Sequence, residues 1–218
     1  MDEHEIPELD SRPQGRREWS GWLRSLVLPL GLVVAIIAGL LYLQSRDEPG
    51  EDDGFGNVAL PEARNATAQS PAATEGRAAP DFMLQTLDGQ TVRLSELQGR
   101  PLLINFWASW CTACKAETPD LIDLYERHKA QGFLILGINL RQANTAVRDF
   151  VEDFGVTYPV AFDRRGEVAS TWQIGGPNQG LPSTYFIDRD GVVKKVVLGS
   201  LSPKQTAEGL ALILPEGS

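Results

Sequence analysis

The stretch Pro101-Leu102-Leu103-Ile104-Asn105-Phe106-Trp107-Ala108-Ser109-Trp110-Cys111-Thr112-Ala113-Cys114-Lys115 carries two structural patterns back to back. Pro101–Trp107 is apolar at nearly every position, the mark of a strand buried on both faces of a sheet. Beyond Cys111 the residues Leu121, Leu124, Tyr125 and His128 recur at helical spacing, which predicts a helix to about Gln131. A cysteine pair therefore stands where a buried strand hands over to a helix. Cys111 falls at the helix N-terminus, where unpaired N–H groups and the helix dipole favour a thiolate. Cys114 falls one turn in, more buried and close enough to close a disulfide.

These two are the whole cysteine supply of a 218-residue chain. A loop so short constrains an unfolded chain little, so the pair makes a poor staple, and a redox or metal role comes first. Zinc needs about four ligands, and the only histidines are His4 and His128. Lys115 occupies the place a histidine takes in the haem-attachment motif CxxCH. No metal site is therefore expected, and no cofactor beyond a redox-active Cys111–Cys114 disulfide.

Upstream, Leu26–Leu43 is an 18-residue run without a charge, long enough as a helix (~27 Å) to cross a bilayer. Pro29 falls in its first turn, and Trp19, Trp22 and Tyr42 flank it as interfacial aromatics would. Arg12, Arg16, Arg17 and Arg24 precede the run, and within fifteen residues after it only Arg46 is basic. That asymmetry predicts a cytoplasmic N-terminal tail (1–25), one transmembrane helix (26–43) and an extracytoplasmic remainder. The residues after the run lack a small-residue cleavage site, so a retained anchor is expected rather than a cleaved leader. Residues 44–77, with Asp47, Glu48, Glu51, Asp52 and Asp53 and then Ala, Asn, Thr, Pro and Ser, read as a flexible acidic linker. Such a tether would span roughly 30–35 Å. A net charge of −9 argues against a nucleic-acid partner.

From Ala78 to the end, 78–218, the pattern is that of one α/β domain. Phe82–Leu87, Asp88-Gly89 and Thr91–Leu94 predict an N-terminal hairpin, with a helical turn at Ser95–Leu97. Phe133–Leu140 and Pro159–Phe162 predict strands, and Asn144–Phe154 and Gly166–Gln173 predict helices. Ser183–Asp188 and Val192–Leu198 predict a closing hairpin before a helix near Pro203–Leu212. This order implies a mixed central sheet with helices on both faces.

The segment Asn105–Lys115 closely resembles the active-site segment of the thioredoxin superfamily, and Gly180-Leu181-Pro182-Ser183-Thr184 resembles that family's cis-proline loop. Ala79-Pro80-Asp81-Phe82 and the hairpin resemble the membrane-tethered branch of ResA- and TlpA-type cytochrome c maturation reductases, with a redoxin (AhpC/TSA-like) domain. The resemblance implies a thioredoxin-like fold over about 78–214 and thiol–disulfide oxidoreductase activity, with Cys111 attacking and Cys114 resolving. It also implies a cis Pro182, and a Leu181 backbone that pairs with substrate. Trp110 would shield the thiols and touch substrate, and Trp107 would pack in the core. Where thioredoxin has an aspartate serving the buried thiol, this chain has Asn105; the ResA-like glutamate three residues after the second cysteine is Glu117. Glu117 shares a helical face with Cys114 and is the expected proton carrier to its sulfur. The family's frequent CxPC proline is Ala113 here, which bears on reduction potential.

The implied partners are protein thiols and disulfides, apocytochrome c among them, and a transmembrane thiol donor. Two other function classes compete. A thiol peroxidase would need Pro-x-x-x-Thr-x-x-Cys, but Ile104 and Ala108 stand at those places. A metal-binding chaperone of the same fold would need a third ligand, and the Sco-type copper carriers a CxxxC spacing.

Overall fold

The computed structural model describes residues 33–38, 55–174 and 180–214. Residues 33–38 are helical, with Val33, Val34, Ile36 and Ile37 exposed. The predicted tail, most of the predicted transmembrane helix and residues 44–54 of the predicted linker lie outside the described residues, as does 175–179. Among the described residues no helix is long and apolar enough to cross a membrane.

All six residues of the strand Leu102–Trp107 are buried, as its unbroken apolar run requires. It lies between a parallel neighbour, Leu134–Leu140, and an antiparallel one, Ser183–Ile187. The strands in chain order are β1 (Gly56–Asn57), β2 (Phe82–Thr86), β3 (Thr91–Arg93), β4 (Leu102–Trp107), β5 (Leu134–Leu140), β6 (Val160–Asp163), β7 (Ser183–Ile187) and β8 (Val193–Leu198). They form one mixed sheet in the order β1-β2-β6-β5-β4-β7-β8, with β3 paired to β2. The helices are α1 (Thr112–His128), α2 (Asn144–Phe154), α3 (Glu167–Thr171) and α4 (Pro203–Ile213).

Alternation along β4 divides two cores. Ile104 and Phe106 point to one side, where Trp172 and Tyr185 pack. Leu103 and Trp107 point to the other, against Leu121, Leu124 and Phe150. Asn105 shares the parity of that second side, so a polar group interrupts the core beneath α1. The predicted elements match closely. The first helix stops at His128 instead of Gln131, because a 3₁₀ turn (Lys129–Gln131) and Gly132 at φ 85° finish it. Pro119 lies inside α1 without ending it.

The structure corrects the linker. Residues 55–77 are not a free tether; they fold back onto the domain. Gly56 and Asn57 pair with Met83 and Phe82, the Gly76 N–H donates to the Val193 carbonyl, and the Val196 N–H donates to the Glu75 side chain. A polar segment gains order here from long-range backbone pairing, which composition does not record.

Helix α4 starts with a capping box formed by Ser202 and Gln205. It then lies so close to β7 that a Cβ on Gly209 would stand 2.5 Å from the ring of Phe186, which is fully buried. Alanine at 209 would gain about 0.8–1 kcal/mol of helix propensity, but crowding an immobile ring costs ~1–3 kcal/mol. Gly209→Ala is therefore expected to lower stability in urea unfolding; a higher midpoint would show that α4 lifts off freely.

Candidate active site

Strand β4 delivers the chain through Ala108, Ser109 and Trp110 to Cys111, which caps α1. The Cys111 sulfur accepts a hydrogen bond from the Cys114 N–H at 3.1 Å, so it already occupies an anion's place at the helix end. Cys111 and Cys114 form a disulfide with their Cα atoms 5.2 Å apart. Cys111 is 6% exposed and Cys114 1%, so the first sulfur belongs to the less covered of two buried residues. Trp110 stands beside them with 68% of its surface exposed, whereas Trp107 is buried against Phe150.

The Leu181–Pro182 bond is cis. Pro182 is buried and its carbonyl accepts from the Gly199 N–H, while Leu181 is half-buried against the apolar cluster that contains both cysteines. The structure thus packs Leu181 against the cluster to which both cysteines belong and places Pro182 at the head of β7.

Glu117 is buried, 5% exposed, one turn beyond Cys114. One carboxylate oxygen accepts from Asn105 Nδ2 at 2.9 Å and the other from the Leu201 N–H at 3.0 Å. Burial pushes its proton affinity up; the hydrogen bonds from Leu201 and Asn105 oppose this, and the charge of Asp120 adds to it. The net direction is upward. Glu117 lines a groove of about 290 Å³ between α1 and α4, with Asp120, Leu121, Leu201 and Leu210.

Two residues of this neighbourhood, Gln142 and Tyr158, carry no sequence signal of their own. Gln142, just past β5, accepts from the Ser109 N–H at 2.7 Å and donates to its hydroxyl at 2.8 Å, clamping the approach to Cys111. The parallel pairing of β4 and β5 sets this up by ending both strands at one edge, but the partners lie 33 residues apart. Tyr158 is buried, and burial first and the Glu117 charge second hold its phenol well above its ordinary value, so it stays neutral. Thr184 pairs with Asn105 across β4 and β7 and is fully buried. Among the described residues no group of three or more His, Cys, Asp or Glu gathers to hold a metal.

Comparison with known proteins agrees with this geometry. The AhpC/TSA family model matches residues 76–196. The thiol-disulfide oxidoreductase ResA of Geobacillus kaustophilus is 35% identical over 151 residues, which cover 69% of this chain and 84% of that protein. ResA of Bacillus subtilis is 34% identical over 142 residues, covering 65% and 77%. A solved thiol:disulfide interchange protein of the thioredoxin family, from Chlorobium tepidum, superposes with a TM-score of 0.57 at 27% identity, over 67% of this chain and 99% of that one. A paired dithiol capping a helix beside a cis-proline strand, on a sheet shared with these relatives, makes the chain a member of the AhpC/TSA family and a thioredoxin-fold thiol–disulfide oxidoreductase.

Proposed function

We propose that the chain is a membrane-anchored reductase of protein disulfides on the extracytoplasmic side, with the CxxCH cysteines of apocytochrome c as clients. The observation that supports it best is the buried Glu117 carboxyl one helical turn beyond Cys114 on α1, held by Asn105 and the Leu201 N–H. The ResA relatives support thiol–disulfide exchange as the chemistry. Residues 26–43 serve as the anchor, and the arginines ahead of them keep the N-terminus in the cytoplasm.

In the cycle, the Cys111 thiolate attacks one sulfur of the client disulfide. A Cys111–client bond forms, and the other client sulfur leaves as a thiolate that takes a proton. The Cys114 thiol passes its proton to Glu117, then attacks Cys111. The Cys111–Cys114 bond forms and the second client sulfur departs, protonated in turn. Two electrons have moved from the dithiol to the client. Trp110 and the Leu181 backbone hold the client strand against the sulfurs. A transmembrane thiol donor then reduces the Cys111–Cys114 disulfide again, because the compartment has no thiol buffer of its own. Anchoring raises the effective concentration of membrane-bound clients.

An equilibrium titration against a thiol/disulfide buffer tests the direction. A potential well below the ~−120 mV of a strong oxidant is expected, and a value at that end would make the protein an oxidase.

A further inference from the structure

We infer that Asn105 is a positioning residue that ties the Glu117 carboxyl to the cis-proline strand, so that the acid serving Cys114 and the loop that holds the client move as one unit. This rests on the reading of Glu117 as the proton carrier.

The geometry is a three-member buried chain. Asn105 Nδ2 has two hydrogens; one goes to Glu117 at 2.9 Å and the other to the Thr184 hydroxyl oxygen at 3.1 Å. Asn105 is 2% exposed and Thr184 fully buried, so water does not substitute easily for either bond. Thr184 lies two residues after Pro182 on β7, and the register of β4 with β7 sets Asn105 directly across from it. An aspartate at this β4 position would place a second negative charge against Glu117. Asparagine instead supplies two donors and no charge, so Glu117 remains the one ionising carboxyl at this spot on the sheet.

The other groups around Glu117 are known. On α1 they are Cys114 and Asp120, with Asp123 and Arg127 further along the groove. Tyr158 approaches from the segment before β6, and α4 contributes Thr206, Ala207 and Leu210. The Leu201 N–H and Asn105 stabilise the carboxylate form and so hold the proton affinity of Glu117 down against burial. Losing the Asn105 amide therefore raises the proton affinity of Glu117, and the carboxylate becomes available as a base only at higher pH. The sign follows directly: the resolving step slows as pH falls through the Glu117 transition, and that limb moves up when Asn105 is changed.

The test uses the full chain, loaded at Cys111 with a fluorescent peptide through a mixed disulfide. Release of the peptide by Cys114 is followed by stopped flow across pH. In Asn105→Leu, the acid limb is expected about 0.5–1 unit higher, which slows release ~3–10-fold below the limb. In Asn105→Asp, two carboxyls share the site and the limb also moves up. In Thr184→Val, which keeps the shape of the residue, a smaller shift in the same direction is expected because the amide loses one anchor. If Asn105→Leu does not fold, the other two variants decide. Limbs at the wild-type position in those variants, with the limb abolished in Glu117→Gln, would overturn this inference alone. A wild-type limb in Glu117→Gln would overturn both it and the proton-carrier reading.

Discussion

Cys114→Ala is expected to stop turnover of a disulfide client while accumulating the client covalently on Cys111, and Cys111→Ala is expected to stop turnover and accumulate nothing. The asymmetry follows from position. Cys111 sits at the cap of α1, where its sulfur already accepts the Cys114 N–H, so a thiolate there is stabilised before any client arrives. Cys114 is covered by protein and meets a client only through the sulfur of Cys111. Removing the resolving sulfur therefore leaves the first exchange intact and deletes the second, so the mixed disulfide becomes the end product. The loss of steady-state activity in either variant should be on the order of 10³-fold or more, the scale for deleting a residue that forms the covalent intermediate. Non-reducing gels of the two variants, with mass spectrometry of the captured partner, make the measurement. Equal adducts on both variants, or adducts on Cys111→Ala alone, would reverse the assignment of the sulfurs and sink the mechanism.

Much of this site was legible in sequence because the decisive relations are local. The apolar run Leu102–Trp107 and the dithiol that follows it lie within thirteen residues, and strand burial, the helix start and the cysteine spacing are read from neighbours. Glu117 was within reach for the same reason, being three residues past Cys114. The relations that escaped are long-range. Glu117 is held by the backbone of Leu201, 84 residues away, and Asn105 by Thr184, 79 residues away. Ser109 is clamped by Gln142 across the parallel β4–β5 pair, and a glutamine in a loop carries no periodicity to betray it. The folded segment 55–77 escaped because polar composition reports how little apolar surface a stretch can bury, not whether its backbone finds a sheet edge. Its order comes from partners such as Met83 and Val193, which no window over 55–77 contains.

That corrected segment bears the second large expected effect, at Asp81. The Asp81 side chain is fully covered, and it gathers three donors: the Phe82 N–H at 3.0 Å, the Ser95 N–H at 2.9 Å and Arg93 Nε at 2.9 Å. Its backbone carbonyl accepts from the Val58 N–H, and Arg93 reaches on to the Ala59 carbonyl. One carboxylate thus joins the hairpin β2–β3, the turn after it and the segment folded over them. In Asp81→Ala two buried N–H groups and a guanidinium lose their acceptor together. Breaking a buried pair costs about 3–5 kcal/mol; since the Arg93 side chain is 30% exposed and recovers some hydration, ~2–4 kcal/mol is the expected loss. At ~2–4 °C per kcal/mol for a chain of this size, the melting temperature should fall by about 4–16 °C. The exposed pair Arg127–Asp123 has nearly the same separation, 2.8 Å, but side chains 60% and 67% exposed. Asp123→Ala should therefore cost no more than ~0.5 kcal/mol. Burial, not distance, separates the two. Because β2 lies three places from β4 in the sheet, the dithiol should keep its rate at 25 °C in Asp81→Ala while thermal tolerance drops. An Asp81→Ala protein that melts with the wild type would mean that residues 55–77 are held by backbone pairing alone; one that lost its activity while still folded would mean that the edge of the sheet reaches the sulfurs.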